Sequence, residues 1–133
     1  MNVDEDIPRW TRLADTELAT AKYLLETRRP MPCEIICNLS QQAAEKIIKG
    51  FLYSRGIRAP KTRDLRELCD LCVDIEAGFG SFGREAVSLT SYGVLPRYPN
   101  ELDLEEHDAE TAVKYAERIV AFVKPLLDKT SET

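Results

Sequence analysis

Several groups of residues in this 133-residue chain have types and spacings that chemistry can use. One is a polar ladder, Gln42, Glu45, Lys46 and Lys49, spaced three or four apart. On one helical face it sets an amide, a carboxylate and two ammonium groups in reach of one another. Such a face is ordinarily solvated; the sharper reading is that part of it borders a cleft or a partner chain. A second group is Arg97-Tyr98, bracketed by Pro96 and Pro99. A guanidinium there can take a phosphate through two parallel hydrogen bonds, the phenol can stack or donate, and Lys46 or Lys49 can add point charge. The chain's one histidine, His107, stands beside Glu105, Glu106 and Asp108. Those carboxylates favour the imidazolium, whereas a position early in a helix opposes it. Any imidazole chemistry must use His107; its plainer reading is an exposed polar residue.

Cys33 and Cys37 are four apart, and Cys69 and Cys72 three apart. Four thiolates can hold zinc in a tetrahedron. These lie among Ile35, Ile36, Leu68, Leu71 and Val73, where a reduced cysteine packs as a small apolar residue. Core packing is the expectation, with no metal and no cofactor. Glycines at 78, 80 and 83 match Gly-x-Gly-x-x-Gly, but no strand precedes them, so the dinucleotide reading fails on context and a flexible linker is expected. No nucleophile elbow, Walker loop or metal-binding histidine pair occurs.

These residues need a scaffold, and the hydrophobic periodicity supplies one. Trp10, Leu13, Ala14, Leu18, Ala21, Leu24 and Leu25 keep helical steps, predicting a helix over 8–27 with Pro8 in its first turn. Arg12, Asp15, Glu17 and Lys22 form its wet face. Pro30 and Pro32 break the pattern, and the short connection predicts an antiparallel neighbour. A second helix over 32–55 carries Leu39, Ala43, Ile47 and Phe51 on one stripe, with Gly56 suited to its left-handed end. A third, over 64–75, is capped by Thr62 or Asp64. A short helix is expected over 84–91, irregular chain over 93–103, and a last helix over 104–123 that Pro125 ends or kinks. The result is a single all-α domain over 1–133, an up-and-down bundle of four long helices and a short one.

Composition sets limits on function. The formal charge of −5 and pI near 5.0 argue against broad nucleic-acid binding, which needs many cations, while leaving room for a local basic groove. No run approaches the roughly 18 apolar residues of a membrane span, and residues 1–10 lack the apolar core of a secretory signal, so a cytoplasmic address is expected.

Taken together the chain resembles the HEPN domain family (higher eukaryotes and prokaryotes nucleotide-binding). The matching pieces are Trp10 with Ala14, Leu18 and Ala21, then Gln41-Gln42-Ala43-Ala44-Glu45-Lys46 with Lys49. Thr62-Arg63-Asp64-Leu65, Leu89-Thr90-x-Tyr92, Arg97-Tyr98-Pro99 and Asp108-Ala109-Glu110 with Ala116 continue them. The resemblance implies the bundle described, frequent homodimers, and frequent pairing with a minimal nucleotidyltransferase. Some members are metal-independent RNases with an Arg-x4–6-His motif. Here His107 follows Arg97 at ten positions, Arg63 stands where relatives often have histidine, and Glu17 where aspartate is usual. The leading expectation is therefore a dimeric nucleotide- or RNA-binding module using Gln42, Lys46, Lys49, Arg97 and Tyr98. The alternatives are an RNase toxin of a toxin–antitoxin pair using Arg97 and His107, and a ligand-free dimerisation protein.

Overall fold

A computed structural model of the chain describes residues 6–92 and 104–130, and no strand occurs among them. The order is α1 (Ile7–Thr27), α2 (Cys33–Ser54), α3 (Leu65–Val73), a 3-10 turn (Ala77–Phe82), α4 (Gly83–Tyr92) and α5 (Glu106–Thr130). This is the all-α bundle that the periodicity predicts. Its helices are unequal: α1, α2 and α5 run 21, 22 and 25 residues, and α3 and α4 run 9 and 10. No helix among the described residues is long and apolar enough to cross a membrane.

Local chemistry sets the ends. The Asp6 carboxylate accepts the Arg9 N–H at 3.2 Å, and Pro8 sits in the first turn, where no N–H is needed. α2 closes on Gly56, at φ +73°, with Gly56 N–H on the Tyr53 carbonyl and Ile57 N–H on the Leu52 carbonyl. That pair of bonds is a Schellman motif, and Ile57 then folds back onto the core. Asp64 caps α3 by accepting from the N–H groups of Arg66 and Glu67, and the Thr62 hydroxyl takes the N–H of Asp64 itself.

Side-chain pairs fix the directions. Trp10 near the start of α1 stacks on Tyr53 near the end of α2, and Glu17 meets Lys46, so the two helices are antiparallel. They approach closely because position 50 is glycine: a Cβ there would lie 3.0 Å from the Trp10 Cβ. Asp15 with Lys124 and Lys22 with Glu117 make α5 antiparallel to α1. The core is filled by Ala43, Ile47 and Phe51 from α2 and by Ala109, Ala112, Val113, Ala116, Ile119, Val120 and Val123 from α5, all buried. A fully buried Ile, Val or Phe contributes roughly 1.5–3 kcal/mol, so these stripes outweigh helix propensity in holding the bundle.

Two stretches differ from expectation. The glycine segment is not a flexible linker but an ordered 3-10 turn that buries Phe79 and Phe82. Phe79 packs against Phe51 at 4.9 Å and edge-on against Phe122 at 5.2 Å, and that aromatic burial orders the turn despite its glycines. Gly78 serves close packing, since a Cβ there would fall 2.5 Å from the Phe122 ring. Likewise α5 does not end at Pro125 but runs on to Thr130. Both Pro125 and Ala121, whose carbonyl loses its helical partner, are exposed, and Val123, Leu126 and Leu127 still pack inward.

Candidate functional site

The polar groups of α2 form two ladders, each with steps of four. In one, the Gln42 amide donates to the Asn38 side chain, and Lys46 one turn on pairs with Glu17 of α1. In the other, the Gln41 amide donates to Glu45 Oε1 at 2.9 Å, and Lys49 pairs with Glu45 Oε2 at 3.0 Å. Gln41 also donates to the backbone carbonyl of Arg63 at 3.3 Å, which pins the chain entering α3 against α2. The seam is half-buried: Lys46 and Glu17 side chains are 26% and 14% exposed. Among the described residues, Glu17 Oε1 and Gln41 Oε1 are both buried without a hydrogen-bond partner.

Gln42, Lys46 and Lys49 are thus brought together, but each is engaged with a neighbour. The two lysines neutralise Glu17 and Glu45. Sequence reasoning places Glu17 on a wet face and leaves Asn38 and Gln41 out of the site. Gln41 carries a signal: it continues the spacing Cys37, Ala44, Ile48, Leu52, all buried. A polar residue inside an apolar stripe marks a buried hydrogen bond.

Other pieces of the motif also make scaffold contacts. The Thr90 hydroxyl of α4 accepts the Leu65 N–H at 3.0 Å and donates to the Ala86 carbonyl at 2.7 Å. It satisfies an N–H in the first turn of α3 that the helix itself cannot.

His107 is exposed at the start of α5, 3.5 Å from both Glu105 and Asp108. Asp108 also accepts the Glu105 N–H at 2.9 Å, capping the helix. Next to it, burial and the Asp108 carboxylate push the Tyr92 phenol above its usual range. Arg97 and Tyr98 lie outside the described residues. All four cysteines are buried thiols. Burial pushes Cys37, Cys69 and Cys72 to about 12, so they are poor nucleophiles in the fold. No group of residues that could hold a metal ion occurs among the described residues.

Exposed cations lie at the start of α1 and along the connection that runs from the end of α2 back to α3. A cavity of about 370 Å³ opens there on α1, lined by Asp6, Arg9, Arg12, Leu13 and Thr16. Arg58, Lys61, Arg63 and Arg66 follow α2 and are exposed.

The family model of the HEPN domain matches residues 7–126. The crystal structure of ST0689, an archaeal HEPN homologue, is similar at 26% identity, covering 91% of this chain and 97% of that one, with a TM-score of 0.70. TT1696 from Thermus thermophilus is similar at 26% identity, covering 90% of this chain and 96% of that one, with a TM-score of 0.72. No curated protein matches the chain.

Proposed function

This chain belongs to the HEPN domain family, and on that footing we propose that it is a nucleotide- or RNA-binding module, acting as a homodimer with a minimal nucleotidyltransferase as partner. The observation that supports this reading is the surface edge of the seam. There Lys46, about a quarter exposed, lies beside a buried Glu17 oxygen that lacks a donor among the described residues. A nucleotide carries hydroxyl or amino donors for the acceptor, and its phosphate would share Lys46 with Glu17. Gln42 supplies a third polar group on the same edge. The dimer has apolar surface to draw on, with Leu13, Tyr23, Ile35, Leu71, Ile75 and Val87 all exposed.

A thermal-shift screen with ATP and GTP tests the binding. Ligand at a hundred times its Kd stabilises the fold by about 2.7 kcal/mol, which a melting curve resolves easily. The expected rise is lost in Arg97→Ala and reduced in Gln42→Ala. Light scattering reports the dimer. A dimer that no nucleotide shifts overturns the binding role in favour of the dimerisation protein. RNA incubated with the purified protein is expected to stay intact. Cleavage that His107→Ala removes would put the RNase toxin first.

A further inference from the structure

The chain carries a net charge of −5, yet residues 55–66 hold five cations, Arg55, Arg58, Lys61, Arg63 and Arg66, against one carboxylate, Asp64. Arg55 is engaged with the Leu126 carbonyl and the Phe51 ring. Arg58, Lys61, Arg63 and Arg66 are exposed, and none makes an ion pair among the described residues. The nearby acids do not cancel them. Asp64 is turned onto the N-terminus of α3, where its Oδ1 takes two N–H groups, and Glu45 is held by Lys49 and Gln41. Glu67, on the first turn of α3, is within 4 Å of none of them.

The segment is also fixed in place. Ala59 is buried, Ile57 packs on the core, Thr62 N–H bonds to the Pro60 carbonyl, and the Gln41 amide holds the Arg63 carbonyl. Arg58, Lys61 and Arg63 therefore project from a backbone that is already anchored, which lowers the ordering cost of binding. An extended chain advances up to about 3.3–3.6 Å per residue, so cations from 58 to 63 can span several phosphates of a nucleic-acid strand. A mononucleotide would use only one or two of them.

We infer that Arg58, Lys61, Arg63 and Arg66 form the face along which the sugar-phosphate backbone of single-stranded RNA lies. The inference rests on the binding role proposed above and assigns it a surface away from the seam. Contact is through phosphates, so binding is weakly sequence-selective and strongly dependent on salt.

Fluorescence anisotropy with a labelled single-stranded RNA, titrated between about 50 and 200 mM salt, tests it on the full chain. Four phosphate contacts give a log–log slope of about −0.7 × 4, near −3, which is about a fiftyfold loss of affinity across that range. Arg58→Gln/Arg63→Gln should halve the slope, and Arg58→Glu/Arg63→Glu should weaken binding at least about tenfold at the lowest salt. These side chains have no partners to lose among the described residues, so the melting temperature should be unchanged. A charge-matched control, Arg84→Glu/Lys114→Glu on α4 and α5, should bind as the wild type does. Equal losses in the control and the test variant would overturn the assignment, as would displacement by polyglutamate as effective as by unlabelled RNA, which would indicate an acidic protein. If Arg97→Ala abolishes RNA binding while Arg58→Glu/Arg63→Glu does not, the surface is refuted and the binding role stands. If neither nucleotide nor RNA binds, both are refuted.

Discussion

The same substitution at two helical glycines should move stability in opposite directions. Glycine in a helix interior costs about 0.8–1.0 kcal/mol relative to alanine, so Gly→Ala is stabilising where space allows. At Gly83, the first residue of α4 with φ −55° and ψ −47°, a Cβ meets nothing within 4 Å. Gly83→Ala should therefore stabilise by about 0.4–1 kcal/mol. At Gly50 the new Cβ would lie 3.0 Å from the Trp10 Cβ and 3.5 Å from its Cγ. The Trp10 Cβ cannot turn away, because it is bonded to the backbone of α1 and its ring stacks on Tyr53. Relief requires α1 to back off, and overpacking of this kind costs about 1–3 kcal/mol. Subtracting the propensity gain leaves Gly50→Ala destabilised by up to about 2 kcal/mol. For a chain of this length 1 kcal/mol corresponds to about 3–5 °C, so the two variants should bracket the wild type in a calorimetric melt. Trp10→Gly in the Gly50→Ala background should show a coupling of at least about 0.5 kcal/mol, because only glycine at position 10 removes the Cβ that the new methyl would meet. If Gly50→Ala raises the melting temperature as much as Gly83→Ala does, the close approach of α1 and α2 is not what the glycine serves.

The remaining expectations concern packing, charge and protons. Gly78→Ala should cost about 1–3 kcal/mol, since Phe122 is held between Phe79 and Phe82 and has little room to yield; Phe122→Leu should relieve part of it in urea titrations. Lys46→Met leaves Glu17 with no partner among the described residues on either oxygen and should destabilise by about 1–3 kcal/mol. Glu17→Leu/Lys46→Met should recover most of that loss, because a matched apolar pair leaves no stranded charge. The thiols give a pH signature. Cys37, Cys69 and Cys72 are raised in the fold to about 12 from 9.0, so their contribution is intact below pH 9. It falls as pH rises from about 9 towards 12, where unfolded thiols ionise and buried ones do not. Denaturation midpoints should drop between about pH 8 and pH 10, and Cys69→Ala/Cys72→Ala should flatten that slope. A midpoint that does not move would refute the burial of the thiols.

Much of the fold is legible in the sequence because its helices carry strong local signals. Asp6 and Pro8, Gly56, and Thr62 with Asp64 mark ends through short-range hydrogen bonding that needs no tertiary information. The cysteines read correctly as packing residues because their neighbours are apolar. The site is harder to read. Glu17 and Lys46 are 29 residues apart, so their meeting depends on the pairing of α1 with α2, and each alone looks solvated. The 3-10 turn over Ala77–Phe82 is hidden for a related reason: three glycines suggest freedom, and only Phe51 and Phe122, distant in sequence, take it away. Pro125 misleads as an end signal because Leu126 and Leu127, buried beyond it, outweigh one missing hydrogen bond.

The bond from Leu65 N–H to the Thr90 hydroxyl joins the opening of α3 to a helix 25 residues downstream. A nine-residue helix is too short to persist alone in water, so α3 cannot outlast the docking of α4. Residues 65–90 should then open and close as a single cooperative unit in native-state hydrogen exchange, with amides of α3 and α4 sharing one opening free energy below that of α2 and α5.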